Sequence, residues 1–236
     1  MIDWAKLWNS FTFQFIDKGG YKEVLRGLGA TVQIAVFGLI IGIIVGMLIA
    51  IIKVMPKYNF FAKILDKLAV VYVAIFRGTP MVVQLLVGHY FLRPLIGWTC
   101  DPLIEAIVIF GLNSGAYVSE IMRGGIQSID VGQLEAGRAV GLTFWTAMFR
   151  IVIPQAIKNI IPTLGNEFIT LVKETSVASF VTVLDLYRAF EQIGYASYSF
   201  LIPYLVLALI YIALIVIITI GVKLIERRLK KNERKN

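Results

Sequence analysis

The sequence predicts an all-α, polytopic membrane protein of five transmembrane helices, with its N-terminus outside and its C-terminus inside. Three observations predict it. Of 236 residues, 58% are hydrophobic and only 16% are charged, too apolar for a soluble domain of this length. Two uncharged runs of 22 residues, Thr31 to Ile52 and Leu201 to Val222, would each be about 33 Å long as helices, enough to cross a bilayer core. Lysine and arginine are also distributed unevenly among the segments that join the spans.

Residues 1–30 are expected to form an extracytoplasmic N-terminal segment. The first span, Thr31 to Ile52, starts too far into the chain and lacks a small-residue cleavage site, so it reads as a retained span and not a signal peptide. The second, Leu68 to Leu92, is interrupted at "FRGTP" (Phe76 to Pro80), where Gly78 and Pro80 are expected to break the helix. Ala106 to Ser119 is apolar and rich in small residues, Ile151 to Val172 is apolar apart from Lys158 and Glu167, and Leu201 to Val222 is the last span. Residues 31–222 thus form one transmembrane domain, and residues 223–236 form a basic cytoplasmic tail.

Counting fixes the expected orientation. With the N-terminus outside, the inner segments 53–67, 120–150 and 223–236 hold 14 Lys and Arg, against 7 in the outer segments 1–30, 93–105 and 173–191. An odd number of spans puts the two ends on opposite sides, in agreement with the count.

The net charge of +8 does not point to nucleic acid, because seven of the 23 Lys and Arg lie after Gly221, beside a span, where they act as a cytoplasmic anchor. One cysteine and one histidine exclude an internal disulfide framework and the usual structural zinc site. No G-x-x-x-x-G-K-[ST] loop occurs, so the chain is not expected to hydrolyse nucleotide, and no metal or catalytic residues are assigned. Gly38, Gly42 and Gly46 recur at four-residue spacing, as do Gly111 and Gly115, which predicts close helix approach.

One cytoplasmic stretch, "QLEAGRAVGLTFWTAMFRIVIPQA", departs from the lipid-facing pattern. A short surface helix is expected over Glu135 to Leu142, with Glu135, Ala136, Ala139 and Leu142 on a narrow face of small and apolar groups. Gly137 and Gly141 weaken such a helix by about 1 kcal/mol each. Close approach to a partner surface would explain them, and Gly141 is also placed to end the helix.

These residues resemble the "EAA" loop of ATP-binding-cassette importer permeases, with Glu135, Ala136, Gly137, Gly141, Ile151, Ile153 and Pro154 at the matching positions. Gly137 and Ile153 are conservative departures from the commonest residues. "GLGATVQIA", "FRGTPMVVQ", "SGAYVSEIMRGGIQSID", "PQAIKNIIPTLGNEFITLVKETS" and "DLYRA" extend the resemblance to the polar amino-acid uptake branch, which includes histidine, glutamine and arginine permeases. The resemblance implies a type I importer permease fold, with residues 31–222 as the permease domain and a coupling loop around 133–145. It implies docking through Glu135, Ala136, Gly137, Gly141 and Pro154 on one of two ATPase subunits. It also implies a second permease copy or paralogue, an extracytoplasmic amino-acid-binding protein, ATP and Mg bound by the ATPase partner and no cofactor on this chain. The place is a bacterial inner or plasma membrane, with lipid as surroundings and an amino acid as substrate.

Glu167 is the candidate centre of the substrate site, since an ionisable group inside a span is costly unless it serves a function. Thr170 and Glu174 fall on its helix face at offsets of three and seven, and this acidic stripe could hold an ammonium group. A structural pair with Lys158 or Arg77 is the alternative. Arg77, Gly78 and Thr79, at the expected helix break, could receive a carboxylate, with Gln84 one turn beyond Pro80. The alternative for Arg77 is an interfacial anchor. His89 reads as a packed or interfacial side chain, Asn113 and Ser114 as helix-to-helix hydrogen-bonding groups, and Asp185, Arg188 and Glu191 as outer-surface charges of a solvated loop, the alternative being a face where a substrate-binding protein docks. The expected function is the permease subunit of an ATP-driven importer of polar amino acids, with the acidic stripe leaning toward cationic ones. The alternatives are a permease for an opine or cystine, or an ATP-independent secondary transporter.

Overall fold

The computed structural model describes residues 4–233, and every regular element in that range is helical, with no strand among the described residues. The elements are α1 (Trp4–Phe11), α2 (Gly20–Val54), α3 (Phe60–Gly78), α4 (Met81–Val87), α5 (Arg93–Leu95), α6 (Pro102–Gln127), α7 (Val131–Ala139), α8 (Phe144–Ala147), α9 (Ile153–Glu174), α10 (Leu186–Ser197) and α11 (Leu201–Glu233). Of the tail cations, Arg234 and Lys235 lie outside the described residues.

Three helices, Gly20–Val54, Pro102–Gln127 and Leu201–Leu229, are long and apolar enough to cross a membrane, and α3 with α4–α5 makes a fourth if the broken pair is one span. At 22 residues α9 is about 33 Å long, sufficient in length though it carries Lys158, Glu167 and Lys173. The helix of the first span, α2, exceeds the expected bounds, running from Gly20 rather than Thr31. Lys22, Glu23 and Arg26 interrupt the apolar pattern there without breaking the helix, and Arg26 Nη1 pairs with Glu23 Oε1 at 3.0 Å, three residues away.

Three π turns, Thr12–Asp17, Gly88–Leu92 and Met148–Val152, were not legible in the pattern. The latter two each precede a proline by two residues, Pro94 and Pro154. Proline lacks an N–H and crowds the carbonyl four residues back, and the wider π register accommodates that.

The chain forms two compact units. The first takes in the described part of Met1–Gly38 with Pro80–Phe110 and Leu171–Ile217. Its core gathers Phe15, Leu186, Phe190, Ile193, Ile202 and Leu207. Thr31 is fully buried there, and its hydroxyl accepts from Leu186 N at 3.0 Å. Asp185, expected in a solvated loop, is instead fully buried as the N-cap of α10 and accepts from Tyr187 N at 3.1 Å and Arg188 N at 3.0 Å. Capping the open N–H groups of α10 requires the carboxylate at the helix end, inside the packed unit. Burial pushes its pKa up to about 6. Arg188 and Glu191 do form a charge pair, at 2.5 Å.

The second unit takes in Leu39–Thr79, Gly111–Thr170 and the described part of Ile218–Asn236. Here α2 and α6 interlock through the predicted glycines. A Cβ on Gly42 would lie 2.6 Å from Ser114 Oγ, and one on Gly46 would lie 2.7 Å from Val118 Cγ1. From the other side, Gly111 faces Ile41 and Gly115 faces Val45. Ile49, Ala69, Val73 and Ala116 make the adjoining core, and Tyr72 Oη donates to the Leu112 carbonyl.

Candidate functional site

The loop helix spans Val131–Ala139 and not Glu135 to Leu142. Asp130 starts it, its carboxylate accepting from Gly132 N at 2.7 Å. Gly141, at φ 91°, stops it: Leu142 N donates to the Gly137 carbonyl at 3.1 Å and Gly141 N to the Arg138 carbonyl at 3.0 Å, a Schellman turn. Leu142 therefore lies past the helix and cannot continue its face. Glu135, Ala136 and Ala139 are exposed, while Gly137 is buried. The close approach that requires glycine at 137 is internal, since a Cβ there would lie 2.9 Å from Ile151 Cδ1 and 3.1 Å from Ala147 Cβ. The helix is thus seated on the following segment by Gly137 and presents Glu135, Ala136 and Ala139 outward.

Thr143 restarts the chain as the cap of α8, accepting from Thr146 N at 3.2 Å. From Phe144 the backbone stays helical through α8, the π turn and α9 to Glu174. Pro154 is exposed in the first turn of α9, and Gln155 Nε2 donates to Gln133 Oε1 at 3.5 Å, tying α9 to α7.

Glu167 is half-buried on α9, and Ser114 Oγ of α6 donates to its Oε1 at 3.1 Å. Ser114 itself is fully buried, so its hydroxyl has little room to turn elsewhere. The predicted stripe sits on one helix: Thr170 is one turn on, its hydroxyl donating to its own helix at the Asn166 carbonyl (3.2 Å), and Glu174 ends α9 in the first unit.

The break at Gly78 to Pro80 occurs as expected. Gly78 ends α3 in open space, and Thr79 is extended (φ −121°, ψ 144°) with its hydroxyl donating to the Ile75 carbonyl at 2.8 Å. Gln84 lies on α4, in the first unit. The Arg77 guanidinium is placed over the Tyr117 ring, 5.3 Å from its centroid, with Nη1 3.9 Å from Glu120 Oε2.

Two charged clusters were missed in the sequence. Glu120 accepts from Lys53 Nζ at 2.5 Å and from Arg123 Nη2 at 2.6 Å, besides facing Arg77. The spacing of Glu120 and Arg123, three residues apart on a helix, was the available signal for one of these contacts. In the first unit, fully buried Glu105 accepts from His89 Nδ1 at 2.8 Å and from Arg93 Nη1 at 3.4 Å. His89 is therefore packed, as expected, but with a carboxylate partner.

Residues 24–231 match the family described as "Binding-protein-dependent transport system inner membrane component". The arginine transport system permease protein ArtQ of Bacillus subtilis is 40% identical over 210 residues, covering 89% of this chain and 94% of that protein. The L-cystine transport system permease protein TcyB of the same organism is 37% identical over 229 residues, covering 95% and 94%. Among solved structures, a crystal structure of an amino acid ABC transporter with histidines superposes with a TM-score of 0.81 at 35% identity, covering 91% of this chain and 98% of that one. A family match over most of the chain, relatives above 30% identity along nearly its full length and helices fit to cross a bilayer give one conclusion: this protein belongs to the binding-protein-dependent transport system inner membrane component family, as a multi-pass permease chain.

Proposed function

We propose that the chain is the transmembrane permease subunit of an ATP-driven ABC importer of polar amino acids, in which Glu167 receives the substrate ammonium. The observation that carries this reading is the Glu167 carboxylate, half-buried inside a span and held by the buried Ser114 hydroxyl at 3.1 Å. An ionisable group inside a span marks a functional site by default. The relatives support the substrate class, since they are named for arginine and cystine, and the solved neighbour holds histidines. Within the second unit, Thr170 and the broken-helix residues Arg77, Gly78 and Thr79 complete the substrate path in this reading.

The exposed Glu135, Ala136 and Ala139 of α7 dock on an ATPase subunit, with Gly137, Gly141 and Pro154 shaping the loop. Two such ATPases, which bind ATP and Mg, would close and rock two permeases between inward- and outward-open states. The second permease is a copy or a paralogue, and an extracytoplasmic binding protein delivers the substrate. The helices form five spans with the N-terminus outside. The cystine-permease relative, at 37% identity, favours one second reading, an importer of a related small zwitterion such as cystine.

Reconstitution in proteoliposomes with and without the ATPase partner tests the proposal. Uptake should require both ATPase and nucleotide, and uptake that persists without nucleotide overturns the importer reading in favour of a secondary transporter.

A further inference from the structure

In the second unit a groove of about 480 Å³ runs along α6 and α9, with Arg77, Tyr117, Glu120, Ser128, Asn159 and Thr163 among its lining residues. Its two helical walls are those that carry Glu167 and Ser114. Thr163 and Asn159 lie one and two turns from Glu167 toward the start of α9, about 6 and 12 Å along its axis. Tyr117 lies three residues past Ser114 on α6, and Ser128 marks the far end, its hydroxyl accepting from Asn159 Nδ2 at 2.8 Å. A polar strip of this length is unfavourable against hydrocarbon and is expected where a span lines a water-filled path.

The charges of the groove suit one end of an amino acid. Lys53 and Arg123 hold Glu120 at 2.5 and 2.6 Å, a close match of donors to carboxylate oxygens. The third cation, Arg77, stands back at 3.9 Å with its side chain 44% exposed, so its fork of donors is only partly engaged. With Glu120 already held by Lys53 and Arg123, which lie outside the groove lining, Arg77 is the cation that the lining itself presents, and its guanidinium lies over the Tyr117 ring, 5.3 Å from the centroid.

We propose that this groove is a second, inner station on the substrate path, where Arg77 takes the α-carboxylate of the amino acid after it leaves Glu167. The proposal rests on the amino-acid permease reading above. It moves Arg77 from the Glu167 pocket to a separate step, and it makes transport a passage between a carboxylate that binds the ammonium and a guanidinium that binds the carboxylate.

Gly124 offers the test, because it lines the groove and a Cβ there meets nothing within 4 Å, whereas at the neighbouring Gly125 it would strike Ile160. The native thiol Cys100 is first replaced by serine. Gly124→Cys is then introduced and the permease–ATPase complex is reconstituted. Gly221→Cys, on α11 and also in open space, serves as the control. A charged thiol reagent should lower uptake at least about tenfold for Gly124→Cys and leave Gly221→Cys unaffected, and L-arginine on the cytoplasmic side should slow labelling at 124 alone. Adding Arg77→Gln should raise the protecting arginine concentration about tenfold or more, the loss expected for a charge-assisted contact. If labelling at 124 leaves uptake intact, or arginine protects equally with and without Arg77, the inner station is wrong. Loss of uptake in Glu167→Gln alongside either result would leave the permease reading standing, so the two failures are distinguishable.

Discussion

A methyl group at Gly42 would stand 2.6 Å from the hydroxyl of Ser114, so the glycine of one helix sets where the serine of another can sit. Ser114 in turn donates to Glu167, which makes the position of that carboxylate depend on a residue it does not touch. Gly42→Ala should therefore lower uptake as well as stability, the latter by about 1–3 kcal/mol through overpacking. Ser114→Gly removes both opposing atoms, the hydroxyl oxygen at 2.6 Å and the Cβ at 2.7 Å, so the double variant should be less unstable than the sum of the two single changes. Thermal unfolding in detergent with parallel arginine uptake measures both, and strict additivity would show that the contact carries no coupling.

Glu167→Gln keeps an acceptor for Ser114 but removes the charge. Assembly with the ATPase should survive, while substrate-stimulated ATP hydrolysis should fall about tenfold or more, the loss of a charge-assisted contact. Unchanged stimulation by arginine would remove Glu167 from the substrate path.

Glu135 and Gly137 lie two residues apart on α7 but should fail in different ways. Glu135 is exposed, so Glu135→Ala should leave the unfolding temperature unchanged, within the about 0.5 kcal/mol usual for surface positions, and weaken ATPase co-purification. Gly137→Leu must displace Ile151 and Ala147, and should lower thermal stability in the isolated permease before any partner is added. Co-purification yields and melting curves of the two variants separate docking from seating.

Asp185 predicts a pH dependence of stability. Its folded pKa of about 6 lies above its ordinary value of 3.8, because burial disfavours the charged form. Between these values the folded protein keeps a proton that the unfolded chain has lost. Stability is therefore greatest below pH 4, falls by about 3 kcal/mol as pH rises toward 6, and is level above that for this group. Asp185→Asn should flatten this part of the profile. Melting temperatures of both proteins in detergent from pH 4 to 8 test it, and parallel curves would show that Asp185 does not titrate in this range.

The long apolar runs, the break at Gly78 to Pro80 and the stop at Gly141 were legible because each is written in neighbouring residues: hydrophobicity over about 20 positions, a missing N–H, a residue free to take positive φ. The reason for Gly137 was misread, since its requirement comes from Ile151, fourteen residues away. Asp185 was misread for a similar reason, as capping and burial together are decided by how α10 packs on Phe15 and its neighbours. Lys53 with Glu120 and His89 with Glu105 join residues 67 and 16 positions apart, a distance no local pattern spans. Glu167 stood out in the sequence by its cost alone, but its partner Ser114 could be assigned only the general role of a helix-to-helix hydrogen bond.

From Phe144 to Glu167 the backbone is helical without interruption, a run of 24 residues and about 35 Å. The piece that Gly137 clamps against Ile151 and the piece that bears the carboxylate are therefore two ends of the same rod. A displacement imposed near Ile151 reaches Glu167 along that helix, its slack confined to the widened turn at Met148–Val152 and to Pro162, which sits inside α9 and leaves one backbone hydrogen bond unmade. Timing between the two ends is then set by the stiffness of one helix that already carries Pro162 and Gly165 before the carboxylate, and Pro162→Ala would shorten the lag between work done at the loop and release at the carboxylate.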